Sequence, residues 1–285
     1  MQPPKKLLTI IITLILLALG LGGYVWIVEN QQTNLEVIAL DIGQGDAILI
    51  KTPYRQNILI DGGPDNSVVR GIDGNLPFWR RRIDLMILTH PDADHVTGLV
   101  EVLERYPVER VMSTGVVHTL PAYIEWLEII KDEQIPMDIA RAPMKVEFGD
   151  DLWLEIIYPW EDYVGINVED NNETSIVVKL IYGETSFLLT GDATIKSEEE
   201  MLSAGIDVNS DVLKVGHHGS KGSTCLEFAQ AVEPEYAVIS VGADNRFGHP
   251  NLRVLKNLEA VGAIILRTDK TGDIILVSDG ETVSY

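Results

Sequence analysis

Ile87-Leu-Thr-His90-Pro-Asp92-Ala-Asp94-His95 decides how the rest of the chain is read. The apolar run Leu85 to Leu88 has the pattern of a buried strand, and Val96 to Tyr106 that of an amphipathic helix. Between them, two imidazoles and two carboxylates fall within six residues. In an extended loop, residues 90, 92 and 94 project to one side, and His95, at the turn into the helix, can swing onto the same centre. Such a donor set is a divalent-metal site. The alternative, a helix N-terminus capped by Asp94 with His95 incidental, uses one oxygen and explains neither histidine.

Working outward, five of the six histidines fall in three polar motifs at strand ends: His90 and His95, His217 and His218, and His249 in Asn245-Arg-Phe-Gly-His-Pro250. The sixth, His118, lies in no motif and reads as surface or structural. Asp192 ends Phe187-Leu-Leu-Thr-Gly-Asp192, where a carboxylate just past a buried strand suits a ligand bridging two ions; alone, it would read as the cap of a helix starting near Ile195. Asp61, closing Ile58-Leu-Ile-Asp61-Gly-Gly63, either orients a ligating histidine from behind or holds a turn. Two ions a few Å apart polarise a scissile group, acidify water and offset developing charge. No G-x-S-x-G elbow and no P-loop occur, so neither a serine nucleophile of that type nor a nucleotide cofactor is expected. Ser220 and Cys225 lack an obvious paired base.

The 285 residues, 46% of them hydrophobic, suit one full-sized domain with its own core. The single cysteine, Cys225, excludes an internal disulfide and a cysteine-rich zinc module. Residues 7–28 are nearly unbroken apolar sequence, long enough to cross a bilayer. Lys5 and Lys6 before them favour a cytoplasmic N-terminus (residues 1–6), which places the remainder, after a linker over 29–34, outside the membrane. A cleaved signal peptide has a shorter apolar region. Ala18-Leu-Gly20 offers a faint cleavage site, but apolar sequence continues past it, which favours a signal anchor.

All 43 acidic residues follow the apolar segment, and the net charge is −21. Such a surface repels polyanions and lends no non-specific affinity for nucleic acid. An anionic substrate must therefore be drawn in locally, by metal ions or by a patch such as Arg80-Arg81-Arg82, which among acidic neighbours also reads as a solvated surface run. Lys214, Lys221 and Arg246, close to the motifs, can contact an anion or be surface charges.

Periodicity and turn residues predict strands at 35–41, 47–51, 57–61, 85–88 and 110–113, then 136–140, 145–148, 151–157, 174–182, 185–190, 211–215, 236–241 and 264–267. A closing hairpin spans 273–277 and 281–285, and Gly149-Asp-Asp151 is a hairpin turn. Helices are expected at 96–106, 121–132, 195–204, 224–231 and 251–260; residues 66–82 are ambiguous, and 160–172 form an acidic, polar loop. Strands come first and strand–helix units later in each half, which suggests an α+β protein with two mixed sheets packed face to face and helices outside.

The residues resemble the metallo-β-lactamase fold family and, within it, the ComEC-like hydrolase domain of bacterial competence proteins. Five motifs carry the match in order: Asp41-Ile-Gly-Gln44-Gly-Asp46 with Ile60-Asp-Gly-Gly63, His90-Pro-Asp-Ala-Asp-His95, Leu189-Thr-Gly-Asp192, His217-His-Gly-Ser220, and Ser240-Val-Gly with Asn245-Arg-Phe-Gly-His-Pro250. The resemblance implies a four-layer αββα sandwich over residues 35–285 with the metal site along one edge. It places His90 and Asp92 on one metal, Asp94 and His95 on the other with His217 completing that site, and Asp192 between them. His218 is a neighbour, and His249 a pocket histidine that contacts a phosphate or shuttles a proton. Asp94, His218 and His249 are the candidates for the catalytic step. Asp41, Gln44, Asp46, Asp61, Asn172, Ser175, Ser220 and Asn245 are those for supporting the ligands or contacting substrate.

The chain also departs from the broader superfamily. Asp92 stands where many members have histidine, and no histidine lies between 118 and 217, where a third ligand of the first metal is usual. Asn171-Asn-Glu-Thr-Ser175 takes its place, as in ComEC-like members. The first site is thus expected to be the weaker, and its oxygen-rich ligands suit Mn²⁺ as well as Zn²⁺. Full ComEC proteins carry many membrane helices that form a DNA channel, whereas one apolar segment is seen here, so the resemblance extends to hydrolysis and not to transport.

The expected function is a membrane-anchored, extracytoplasmic, metal-dependent hydrolase of phosphodiesters such as single-stranded DNA. A non-nucleic ester or lactone is the rival substrate, since no basic track or aromatic row is visible. A non-catalytic module beside a channel is a different class of reading, against which stands the retention of nearly all the ligands.

Overall fold

In the computed structural model, which describes residues 5–30 and 34–285, fifteen strands form two mixed sheets. The first has eight strands: β1 (Leu35–Ala39), β2 (Ile48–Lys51), β3 (Asn57–Ile60), β4 (Leu85–Ile87), β5 (Val111–Ser113), β6 (Met137–Ile139), β14 (Ile274–Ser278) and β15 (Val283–Ser284), in the order β15-β14-β1-β2-β3-β4-β5-β6. The second has seven: β7 (Met144–Glu147), β8 (Leu152–Tyr158), β9 (Val177–Tyr182), β10 (Thr185–Leu189), β11 (Val212–Lys214), β12 (Tyr236–Ile239) and β13 (Ile264–Arg267), in the order β13-β12-β11-β10-β9-β8-β7. The chain's closing hairpin returns to the first strand, so β14 lies antiparallel to β1 and β15 to β14.

Three apolar clusters define the layers. Side chains alternate along each strand, so Ile58 and Ile60 join one cluster and Leu59 another. The central cluster joins the inner faces of both sheets, with Ile50, Ile60 and Ile87 meeting Leu154, Val178 and Phe187. A second lies under α2 (Ser67–Asn75), α3 (Ala93–Arg105) and α4 (Pro121–Asp132), built from Ile72, Leu99 and Trp126 with Leu59 and Met86. A third lies under α5 (Ile195–Ser203), α6 (Leu226–Val232) and α7 (Leu252–Ala260), built from Met201, Phe228 and Leu258 with Leu188 and Ile239. Helix, sheet, sheet, helix is the expected sandwich. Each layer buries the apolar stripe of its neighbour, the arrangement that removes most apolar surface from water.

The ambiguous 66–82 stretch resolves into α2 and a single tight turn of helix at Phe78–Arg80. Helix α3 begins three residues earlier than its apolar pattern, so Asp94 and His95 sit in its first turn. The sequence signal began at Val96 because the first turn presents ligands, not core residues. A short α8 (Thr268–Thr271) follows β13.

Ahead of the sandwich, α1 (Lys5–Asn30) contains a 20-residue stretch, Lys6–Val25, of mean hydropathy 2.4 that is long and apolar enough to cross a bilayer by length and composition. None of it is buried against the rest of the chain. Residues 1–4 of the expected cytoplasmic segment and 31–33 of the expected linker lie outside the described residues.

Strand direction places the site. β3 to β6 run parallel to one another, as do β10 to β13. The motifs that follow β3, β4, β10, β11 and β12 therefore emerge at the carboxyl ends of parallel strands, along one edge of the sandwich.

Candidate metal centre

The turn after β3 holds Asp61 with a φ of +59°, a left-handed conformation rare for a residue with a side chain. Its buried carboxylate ties the next strand's motif together. Oδ1 accepts from Thr89 N (2.8 Å), while Oδ2 accepts from Thr89 Oγ1 (2.7 Å) and lies 2.8 Å from His95 Nδ1. Thr89 Oγ1 is also 3.0 Å from His90 Nδ1. Of the two readings open for Asp61, orienting a histidine and holding a turn, this geometry contains both.

Close backbone approach sets the helix that carries His95. A Cβ on Gly98 would stand 1.9 Å from Gly62 O, and one on Gly62 would stand 2.5 Å from Leu99 N. The glycines let Gly62 N donate to His95 O (2.7 Å) and Gly98 N to Gly63 O (2.9 Å). Gly45, at φ +135°, passes equally close to Asp94 O, and Asp46 N donates there at 3.2 Å.

From the second sheet, Asp192 brings its carboxylate to the same place. Its Oδ2 lies 3.4 Å from His95 Nε2, 3.4 Å from His218 Nε2 and 3.8 Å from His217 Nε2. Ser175 Oγ accepts from Asp192 N (3.2 Å). The cap position of α5 is Thr194, so the capping alternative for Asp192 fails. Likewise Asp92, at the cap position of α3, makes no capping bond: its Oδ1 accepts from Asn171 Nδ2 (2.7 Å) and its Oδ2 lies 3.7 Å from His90 Nε2.

The adjacent histidines divide unequally. His218 is buried, its Nδ1 lying 3.1 Å from Ser240 O and 3.4 Å from Asp46 Oδ1, and its Nε2 3.5 Å from Asp94 Oδ2. His217 has 29% of its side chain exposed and stands outside the groups of mutually close ligand atoms, which include His90, His95 and Asp192 on one side and Asp94, His95 and His218 on the other. The resemblance gave a ligand position to His217, whereas in this geometry it is His218 whose side chain joins these groups. The backbone is the reason: both residues adopt left-handed φ values, 47° and 53°, which turn the second imidazole inward. Such conformations persist where the surroundings fix them and concentrate at functional sites.

Lys214 corrects a second expectation. It is neither a surface charge nor an open anion contact but is 1% exposed, its Nζ paired with the Asp46 carboxylate, donating to Gly191 O (2.8 Å) and 3.8 Å from Asp192 Oδ1. Burial opposes a charge on Asp46, but Lys214 and His218 outweigh it and hold its pKa below the usual carboxylate range. Burial likewise opposes charge on His95 and His218, yet Asp192 together with Asp61 or Asp46 raises both well above the ordinary histidine value. Asp192 is held well below its own, against burial, by those same two imidazoles.

The remaining candidates sit at varied distances. His249 is half-buried, its ring 5.8 Å from that of His217, with Nδ1 lacking a hydrogen-bond partner; burial, then His217 and His218, lower its pKa. Asn245 clamps that loop, accepting from His249 N (2.9 Å) and donating to His249 O (2.8 Å) and Gly242 O (2.9 Å). Gln44 Oε1 accepts from Gly242 N (3.3 Å), linking the loop to the first motif. Asp41 is exposed and serves a turn, its own N donating to Asp273 Oδ1 (2.8 Å), while Ser220 Oγ accepts from Gly222 N (3.2 Å). Asn172 does not hold Asp92; its neighbour Asn171 does. His118 takes no part, its Nδ1 accepting from Leu120 N (3.2 Å). Arg80, Arg81 and Arg82 lie away from the centre, with Arg81 paired to Asp73 and Arg82 to Asp84 and Glu109.

Whether these residues suit a metal is decided by their unpartnered atoms. His90 Nε2, His95 Nε2, His218 Nε2 and Asp192 Oδ1 are all buried without a hydrogen bond, while the Nδ1 atoms behind them are engaged. A buried polar atom left unpaired costs about 1–3 kcal/mol. Three imidazole Nε2 atoms gathered around the Asp192 carboxylate, with the far nitrogens tied to carboxylate, hydroxyl and carbonyl, are the pattern of metal-ligating imidazoles held from behind.

The model of the metallo-beta-lactamase superfamily matches residues 40–243, nearly the whole span of these motifs. The chain belongs to that superfamily. It is similar to ComE operon protein 3 of Bacillus subtilis (strain 168), 32% identical over 256 residues covering 84% of this chain and 32% of that protein. It is also similar to Competence protein ComA of Neisseria gonorrhoeae, 31% identical over 273 residues covering 91% of this chain and 36% of that one. The chain thus spans about a third of the length of these relatives. Among solved structures, Igni18, a metallo hydrolase from the archaeon Ignicoccus hospitalis, shares the fold with a TM-score of 0.52 at 13% identity, over 84% of this chain and 98% of that one.

Proposed function

We propose that this chain is a membrane-anchored, extracytoplasmic, metal-dependent hydrolase of phosphodiesters, with single-stranded DNA as a substrate. The observation that carries the reading is the convergence of three unpartnered imidazole Nε2 atoms, from His90, His95 and His218, around the Asp192 carboxylate. His90, Asp92 and Asp192 would hold one divalent ion; Asp94, His95 and His218, sharing Asp192, would hold the other. The mixed nitrogen and oxygen donors suit Zn²⁺ or Mn²⁺. Ions held there would supply a Lewis acid for a phosphoryl oxygen and acidify water.

The chain's own groups do the rest. Asp61, Thr89, Asp46 and Ser240 O fix the ligating imidazoles from behind. Asp92 and Asp94, with 36% and 35% of their side chains exposed, form the solvent-facing side of the cluster. His249, beside His217 and with its pKa lowered by burial and by His217 and His218, is the group that would move a proton to or from the leaving oxygen. The resemblance to competence-protein hydrolase domains supports nucleic acid as substrate, and α1 supports the anchor. A small ester or lactone is the second reading, favoured by the net charge of −21, which repels a polyanion.

The test is metal content and turnover of the full chain in detergent. Bis-p-nitrophenyl phosphate, single-stranded DNA and p-nitrophenyl acetate are compared with Mn²⁺ or Zn²⁺, for wild type, Asp94→Ala and Asp192→Ala. Metal-dependent phosphodiester cleavage lost in both variants is the expected result. Bound metal with ester cleavage alone favours the second reading, and neither metal nor turnover sinks catalysis.

A further inference from the structure

The edge of the sandwich opposite the metal centre carries an exposed aromatic and basic corner. β1 and β3 both run antiparallel to β2, so they point the same way. Asp61, just past the end of β3, is in the centre; Leu35, at the start of β1, is therefore at the far edge, where Glu36, Lys51 and Asn57 align across the strands. Five residue steps join Asn30, the end of α1, to Leu35, a reach of no more than about 18 Å. Whatever surface α1 is embedded in, this edge stays close to it.

Phe78–Arg82 is pinned to that edge. Asn57 Nδ2 donates to Arg80 O (3.1 Å) and Arg82 O (2.9 Å), and Arg80 donates to Arg55 O in the β2–β3 turn (3.0 Å). Phe78 is 75% exposed and Trp79 37%, their rings edge to face at 4.8 Å. Two large aromatics held in water on a single helical turn are what an interfacial anchor presents to a bilayer, rings at headgroup depth.

We propose that Phe78 and Trp79 dock into the headgroup region of the bilayer that α1 enters, with the ion-paired arginines that follow them lying at its surface. This rests on the anchoring reading above. Charge singles out the corner. Asp73, Asp84 and Glu109 pair with Arg81 and Arg82, so the corner is close to neutral in a chain of net −21, and the rings supply the attraction. Elsewhere the same edge is acidic, with Asp150 and Asp151 in the β7–β8 hairpin, Glu184 between β9 and β10, and Asp279 and Glu281 beyond β14, and an anionic leaflet repels it there. The domain thus leans on the membrane by one corner and opens its metal centre away from the lipid, towards water-borne substrate.

Depth measurements on the full chain in vesicles of phosphatidylcholine and phosphatidylglycerol test this. In a Cys225→Ser background, single nitroxides are placed at Leu17→Cys in α1, Phe78→Cys at the corner, and Phe247→Cys, an exposed position on the site-bearing edge. Labels 17 and 78 are expected to collide readily with oxygen, which partitions into lipid, and poorly with a water-soluble nickel chelate; label 247 is expected to do the reverse. Label 78 behaving like 247 while label 17 is in lipid overturns the docking and leaves the anchor standing. Label 78 shielded from both reagents marks a protein partner and also overturns it. Label 17 in water overturns the anchor itself, and the docking falls with it unless label 78 alone reports lipid.

Discussion

Asp61 Oδ2 lies 2.8 Å from His95 Nδ1, both groups buried, and the same carboxylate takes two hydrogen bonds from Thr89. One anion thus fixes the ring that faces Asp192 and the residue that positions His90. Asp61→Asn keeps the size but withdraws the charge and offers a donor in place of one acceptor. Metal affinity is expected to fall about 10–100-fold, the usual cost of losing a partner behind a ligand. Competition against a chromophoric chelator measures it, and an unchanged affinity would reduce Asp61 to a turn residue.

Lys214 and Asp46 form a buried pair beneath the centre, and Asp192 lies beside them. Lys214→Met removes the buried ammonium and leaves Asp46 and Asp192 to the imidazoles alone. A loss of about 3–5 kcal/mol in folding stability is expected, since removing one partner strands the other's charge. Adding Asp46→Asn should restore part of it. Denaturant unfolding of the single and double variants gives the coupling, and strictly additive losses would show that the pair is not interacting.

Gly98→Ala tests the approach of α3 to the turn after β3. The helical backbone tolerates alanine, but the new methyl would meet Gly62 O at 1.9 Å. The helix must shift, and His95 with it. We expect about 1–3 kcal/mol of destabilisation from overpacking, where alanine in an open helix would stabilise, together with weakened metal binding. Thermal unfolding and metal titration of the same variant separate the two effects.

How much of this was legible in sequence follows from what each signal encodes. The sandwich was readable because strand alternation and the helix period report which side of each element is apolar, and three stacked cores require nothing else. The ligand motifs were readable because His90, Asp92, Asp94 and His95 crowd one strand end. Three things were not. The choice of His218 over His217 depends on two left-handed backbone conformations that composition does not announce. Lys214 ends a buried strand, and its partner Asp46 is 168 positions away in sequence, a pairing only the packed sheets create. Asn171 acts through one side-chain hydrogen bond to Asp92, and Thr89 through two to Asp61 and one with His90; the available hints were the hydroxyl directly before His90 and the consecutive asparagines.

The last prediction concerns protons. With His95 and His218 both raised above the ordinary histidine value of about 6.5 by Asp192 with Asp61 or Asp46, chelator-stripped protein at neutral pH is expected to carry protons on these imidazoles. A metal needs the Nε2 lone pairs, so loading must displace those protons. A raised folded-state pKa contributes stability that is fully present below the unfolded value and is lost as pH rises through the folded one. Stripped protein should therefore lose Tm as pH climbs from about 6.5, while metal affinity climbs over the same window. The depressed pKa of Asp192 describes the same contacts from the other side: its stabilisation is present above the usual carboxylate range and is lost only in strong acid. Calorimetric titration of stripped protein with Zn²⁺, in buffers of different ionisation enthalpy, counts the protons released. Release at neutral pH that fades as pH rises through the folded histidine values fits. Binding without proton release would mean that the imidazoles are already neutral and that the buried carboxylates are balanced some other way.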